Sequence, residues 1–146
     1  MGSTTVPKSA LKRFHKKRDD MIIIGHPWIK SSRFRYVFSE EDIKQTQADD
    51  VVLLEPLADS HAYARYCQAN HIPYGVVVNT LEEAILANAL GASYIVCEED
   101  DALMIQPVAQ TYLFDARVLV LVYDVKSISK IAREGIDGVL FAEAIY

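Results

Sequence analysis

Short apolar runs, separated by segments with helical spacing, recur along the chain from Val51 onward. The runs are rich in β-branched residues and are apolar at consecutive positions, which is typical of parallel strands covered on both faces. Their centres lie about 20 to 25 residues apart, the length of one strand plus one crossover helix. The five predicted strands are Val51–Glu55, Tyr74–Asn79, Tyr94–Glu98, Val118–Asp124 and Gly138–Ala142.

Helix signals fill the spaces between these strands. Thr80 and Glu83 form a predicted capping box at the start of a helix over Leu81–Leu90, because each can satisfy a backbone N–H at the helix start. Gly91 follows where a left-handed helix terminator is expected, and Gly135 follows the last predicted helix in the same manner. The other predicted helices are Ala62–Asn70, with Asp59 and Ser60 as candidate caps, Asp101–Phe114, with a kink or restart at Pro107, and Lys126–Arg133.

Strands that alternate with helices predict an α/β domain over residues 21–146 with about five parallel strands. Right-handed crossovers leave two arrangements, a doubly wound (flavodoxin-like) sheet or a half-barrel. Ahead of the repeat, Met21–Gly25 and Arg35–Phe38 are predicted short strands, and Glu40–Lys44 is a predicted helical turn.

The composition fits a single globular domain, since 51% of the 146 residues are hydrophobic and 24% are charged. Cys67 and Cys97 lie in apolar stretches without a paired spacing, so we expect buried free thiols in a reducing, cytoplasmic compartment. The longest apolar runs fall far short of the about 20 residues that a membrane span requires, and we expect no membrane association.

The charge is distributed unevenly along the chain. Residues 1–36 carry nine Lys or Arg and two acids, whereas residues 37–146 carry six Lys or Arg and eighteen acids. This asymmetry predicts a basic arm over residues 1–20, in which Lys8–Arg18 is a short helix. Clustered cations of this kind suit an acidic partner or nucleic acid. The alternative is an arm that folds back on its own acidic body or on a neighbouring subunit.

Two stretches resemble βα units of phosphate-handling (β/α)8-barrel enzymes such as thiamine-phosphate synthase and ketodeoxyphosphogluconate aldolase. They are Asn79–Val96 and Gly135–Ile145. The resemblance implies a sheet of this kind. It does not imply the aldolase or synthase activity, because Ala142-Glu143 stands where those enzymes usually have a Gly-Ser pair. In addition, none of the five predicted strands carries a Lys for a Schiff base.

Polar residues stand at the carboxyl ends of the five predicted strands, where parallel α/β sheets bind their ligands. Carboxylates from separate strands offer the hard oxygen ligands that Mg²⁺ prefers. The candidate metal ligands are Glu55, Glu98, Asp124 and Glu143, with Asn79 as a candidate ligand-binding residue. Acids at these positions also suit helix N-termini, where they oppose the helix dipole.

Two functions follow from these patterns. The first is a non-catalytic interaction or regulatory module that acts as a homodimer. The alternative is a small-molecule enzyme that uses a divalent cation at the strand ends. His26 is a further candidate ligand-binding residue, because His26-Pro27-Trp28 places a titratable ring beside an aromatic ring on a loop.

Overall fold

The computed structural model describes residues 20–146, so all but one residue of the predicted basic arm lies outside the described residues. Within this range seven strands alternate with five helices. The elements in chain order are β1 (Ile22–Ile24), β2 (Phe34–Tyr36), α1 (Glu40–Lys44), β3 (Val51–Leu54), α2 (Leu57–Ala69), β4 (Tyr74–Val77), α3 (Leu81–Ala89), β5 (Tyr94–Cys97), α4 (Glu99–Thr111), β6 (Arg117–Val122), α5 (Ser127–Arg133), β7 (Gly138–Phe141) and a 3-10 turn (Ala142–Ala144).

All neighbouring strands are parallel, and the sheet order is β1-β7-β6-β5-β4-β3-β2. From β3 to β7, each strand therefore pairs with the next strand in the chain. The outer edge of β2 meets the segment that follows β7. The N–H of Tyr36 donates to the main-chain oxygen of Tyr146 at 3.0 Å, and the N–H of Tyr146 donates to the carbonyl of Phe34 at 2.9 Å. The sheet is thus curled into a half-barrel, which is one of the two predicted arrangements.

Side chains of alternate residues separate into two cores. Outward-facing residues such as Val52, Val76 and Ile95 belong to one buried cluster together with residues from α2 to α5. Inward-facing residues pack across the concave side, where the rings of Phe34 and Tyr94 lie 5.3 Å apart. The consecutive apolar positions of the strands are explained by this double burial.

The doubly wound alternative is wrong for the described part of the chain. Ala64, Ala84, Ala102 and Ile131, from four successive helices, all lie in the outward cluster. No helix covers the concave face within residues 20–146, because the inward side chains already fill it. Consecutive apolar runs fit both arrangements equally, so the sequence left the choice open.

Local signals are confirmed at α3. The N–H of Glu83 donates to Thr80 Oγ1 at 3.1 Å, and Glu83 Oε1 accepts from the N–H of Asn79 at 3.0 Å. Gly91 and Gly135, which follow α3 and α5, have φ angles of +89° and +75°. Both are the left-handed terminators that the sequence predicted.

Two helices differ from the sequence prediction. Helix α2 begins at Leu57 with Pro56 at its N-cap, so Asp59 and Ser60 lie in the first turn and do not cap it. The buried Leu57 side chain anchors this earlier start. Helix α4 runs without interruption through Pro107. Because Pro107 has no N–H, the carbonyl of Leu103 lacks its helical hydrogen bond. Leu103 is exposed, so water can supply a hydrogen bond in its place.

The longest of the described helices have 13 residues, and none has the length and apolarity needed to cross a membrane.

We predict that Gly138→Ala destabilises the fold by about 2 kcal/mol, because the space at this position is already filled. A Cβ at Gly138 would lie 2.3 Å from the carbonyl oxygen of Ile22, a backbone atom in the paired strand β1. Gly75→Ala is the matched control, since its nearest neighbour, Tyr94 Cβ, would lie 3.3 Å away. Urea unfolding measures both variants, and an equal or smaller loss for Gly138→Ala would contradict the packing argument.

Candidate functional site

A cavity of about 180 Å³ opens at the carboxyl ends of β3 to β6, and we call it the rim cavity. Its polar lining includes Glu55, Asn79 and Glu98, while Val96 and Leu121 form an apolar floor. The parallel register explains why these residues meet. Leu54 pairs with Val76, and Val77 pairs with Val96, so the residues that follow these strands leave at one edge. Three of the sequence-predicted site residues are thereby brought together.

Tyr36 is a functional candidate that the sequence prediction missed. Its hydroxyl donates to Glu55 Oε1 at 3.0 Å, and its ring stacks with that of Phe38 at a centroid distance of 6.2 Å. Desolvation and the hydrogen bond to Glu55 raise the pKa of Tyr36 to about 12, with a smaller contribution from Tyr123. The phenol therefore stays protonated at neutral pH and remains a hydrogen-bond donor. The sequence signal for this residue is that Phe34 and Tyr36 occupy alternate positions of the short strand β2 and therefore share one face.

Cys97 also lines the rim cavity, but its thiol does not ionise at neutral pH. Burial, with smaller contributions from Asp101 and Glu98, raises the pKa of this thiol to about 12. Burial likewise raises the pKa of Cys67 to about 11. Both thiols are free and buried, as predicted. Neither supplies a thiolate nucleophile at neutral pH.

Asp124 lines a neighbouring cavity of about 240 Å³, together with Glu98 and Tyr123. Its Oδ1 accepts from the N–H of Lys126 at 2.9 Å, which stabilises the turn that leads into α5. Because Glu98 and Leu121 line both cavities, the two form one acidic depression along the rim. The Asp124 carboxylate therefore stabilises a turn, in addition to lying at the end of β6.

His26 and Glu143 lie together in a third cavity of about 320 Å³, where the loop after β1 meets the turn after β7. His26 Nδ1 accepts from the N–H of Trp28 at 3.1 Å, which assigns the proton of the neutral ring to Nε2. The ring also packs edge-on against Phe141 at 5.9 Å. Neither residue lines the rim cavity.

The four predicted metal ligands are therefore divided among three cavities. Glu55 and Glu98 share the rim cavity, Asp124 lies beside it, and Glu143 lies in the cavity of His26. Among residues 20–146, no group of three or more His, Cys, Asp or Glu side chains is arranged to hold a metal ion. The magnesium site stays a prediction.

No protein-family model matches the chain, and no curated protein matches it significantly. The resemblance to phosphate-handling barrel enzymes also stays a prediction.

A carboxyl pair joins α4 to α5 next to the depression. The carboxyl group of Glu134 lies next to that of Glu99, and Lys130 Nζ lies 3.1 Å from Glu99 Oε2. The adjacent carboxyl group of Glu134, together with Lys130, lowers the pKa of Glu99. Partial desolvation and the adjacent carboxyl group of Glu99 raise the pKa of Glu134. The native state therefore retains the Glu134 proton at pH values where the unfolded chain has released it.

The opposite pKa shifts of Glu99 and Glu134 make the stability of the fold depend on pH. A raised native pKa contributes stability at low pH that is lost as the pH rises through it. For Glu134 this loss begins above the ordinary value of 4.5. The lowered pKa of Glu99 acts in the other direction, and its contribution is lost as the pH falls through it.

We predict that Glu134→Gln removes the loss of stability above pH 4.5, because the amide donates to Glu99 without a titrating proton. Urea unfolding midpoints between about pH 4.5 and pH 8 should fall less with rising pH than those of the unmodified chain. Glu41→Gln, on the exposed start of α1, is the control. An unchanged slope in Glu134→Gln would show that the carboxyl pair does not share a proton.

Proposed function

We propose that the chain binds a small ligand with a protonated amine in the rim cavity. The observation that carries this proposal is the lining itself, in which Glu55, Asn79 and Glu98 surround an apolar floor. Carboxylate and amide oxygens accept hydrogen bonds from an ammonium group, and the floor accommodates its carbon chain. The carboxyl ends of parallel strands are the usual location of ligands in curled and open α/β sheets.

The size of the rim cavity restricts the ligand. A volume of about 180 Å³ is below the roughly 300 to 1,000 Å³ of sites for drug-sized molecules. It equals the liquid volume of about six water molecules. The cavity therefore suits an amine of a few non-hydrogen atoms, or the amino end of a longer molecule that continues along the depression.

Aromatic rings near the cavity favour an organic cation over a bare metal ion. Tyr36, which is bonded to Glu55, stacks with Phe38, and the pKa of Tyr36 responds to Tyr123. Ring faces attract ammonium groups through the ring quadrupole. A divalent ion such as Mg²⁺ instead prefers a nearly octahedral set of oxygen ligands, and the rim cavity brings together only two of the four predicted carboxylate ligands, Glu55 and Glu98.

The chemistry of the lining favours binding over catalysis. The thiol of Cys97, in the lining, and the phenol of Tyr36, which is bonded to the lining residue Glu55, both have pKa values of about 12, so both are protonated at neutral pH. Neither group therefore supplies an anionic nucleophile to a ligand. This supports the non-catalytic function over the metal-dependent enzyme.

We predict that ethylamine and putrescine release or absorb measurable heat on titration into the protein, whereas ethanol does not. Glu98→Gln should weaken amine binding about tenfold or more, because a charge-assisted hydrogen bond is lost. Glu82→Gln is the matched control, since Glu82 is an exposed acid in the first turn of α3 that does not line the cavity. Isothermal titration calorimetry measures all of these affinities.

The same titrations with Mg²⁺ and Mn²⁺ test the alternative. Binding of either metal, weakened by Glu98→Gln, without amine binding would overturn the amine proposal in favour of the metal-dependent enzyme. Equal amine binding by Glu98→Gln and Glu82→Gln would place the amine outside the rim cavity and would also overturn it.

A further inference from the structure

Helices α3 and α4 present apolar side chains to solvent on their outer surfaces. Ile85, Leu86, Leu103 and Met104 have exposed fractions between 43% and 64%. Each pair occupies the fifth and sixth positions of its helix. Because α3 and α4 start at the same rim and pack side by side, the two pairs lie at a similar height. We call this surface the α3–α4 face.

Negative charge borders the α3–α4 face at the end nearest the rim. Between Arg65 and Arg117 the sequence contains no Lys or Arg but seven Asp or Glu. Five of these acids occupy the first turns of the two helices, namely Glu82, Glu83, Glu99, Asp100 and Asp101. An apolar patch with a polar border is the usual signature of an interaction surface. A partner for this surface needs apolar side chains and positive charge.

Residues 1–19 of the same chain have this composition. They include six Lys or Arg and one acid. The helical spacing predicted for Lys8–Arg18 places Ala10, Leu11 and Phe14 on one side, with Lys12 and Lys16 on the opposite side. The charge of this segment is therefore opposite to that of the α3–α4 face.

The connection point makes the α3–α4 face accessible to this segment. The carbonyl of Asp20 accepts from Arg117 Nη2 at 3.3 Å. Arg117 begins β6, the strand that directly follows α4. Nineteen extended residues reach up to about 60 Å, whereas the 13-residue helix α4 is about 20 Å long. The segment can cover the face without leaving its own chain.

We propose that residues 1–19 dock on the α3–α4 face of their own chain, with Leu11 and Phe14 against Leu86 and Met104 and the cations against the bordering acids. A second copy of the chain is a poorer occupant of this face. Two copies joined through it would bring the acids of α3 and α4 close to the same acids of the partner, and like charges oppose such an interface. Docking also occupies the Lys and Arg side chains of residues 1–19, which an external acidic partner or nucleic acid would need to contact.

Paramagnetic relaxation in the full-length protein tests the docking. Cys67 and Cys97 are buried, so Ser9→Cys provides a single accessible thiol for a nitroxide label. We predict that the methyl signals of Ile85, Leu86 and Met104 are broadened or lost in the labelled protein. A label at Ala48→Cys, on the exposed loop before β3, is the control and should leave these signals intact.

Substitutions on the face identify the contact. Leu86→Lys with Met104→Lys should restore the remaining Ile85 signal in the Ser9→Cys protein, because both apolar contact and charge attraction are lost. Trp28→Lys with Val125→Lys adds the same two charges at exposed positions outside the face and should not restore it. Broadening that persists in the double variant would overturn the docking.

Mixing identifies the chain that supplies the segment. Isotope-labelled protein without a nitroxide is mixed with nitroxide-labelled protein without isotopes. Docking within one chain predicts intact Ile85 and Met104 signals in the mixture, and broadening there would assign the face to a second copy. Intact signals in the singly labelled protein itself would overturn docking and leave the cations free for an acidic partner or nucleic acid.

Discussion

Every strand of this sheet must bury both of its faces, and the curl of the sheet is the arrangement that achieves this. Helices α2 to α5 cover the outward side chains, while the inward side chains, Phe34 and Leu53 among them, cover one another. Hydrogen bonds between β2 and Tyr146 then satisfy backbone groups at an edge that would otherwise be open. The candidate site depends on the parallel order of β3, β4 and β5 within this sheet, because that order brings Glu55, Asn79 and Glu98 to one opening.

The features that the sequence predicted correctly are those that short segments determine. Thr80 and Glu83 cap α3 through bonds between residues three or four apart, and Gly91 ends the same helix through its own backbone freedom. The five central strands are recognisable because burial on both faces requires apolar residues at consecutive positions. The start of α2 at Leu57 was not predicted, because it depends on burial against residues distant in sequence.

The site was predictable in part for the same reason. Strand ends follow from strand positions, so Glu55, Asn79 and Glu98 could be placed at a common edge before their contacts were known. The separation of Glu143 depends on the 3-10 turn after β7, and that of His26 depends on the loop after β1. Neither segment has a periodic pattern. Tyr36 was missed because a three-residue strand carries too few positions to show which face is buried.

Helices α3 and α4 serve two surfaces at once. The first turn of α3 supplies Glu83 to the rim cavity, and that of α4 supplies Glu99 to the neighbouring cavity. The same turns border the apolar α3–α4 face. Acids at these positions oppose the helix dipoles and therefore stabilise the helices locally. Lys or Arg at the same positions would forgo that stabilisation and reduce the negative potential of the rim. The absence of Lys and Arg between Arg65 and Arg117 is thus compatible with helix stability, with attraction of a cationic ligand and with attraction of the basic segment. Since a basic segment docked beside the rim would screen part of this potential, ligand affinity and docking are expected to depend on each other.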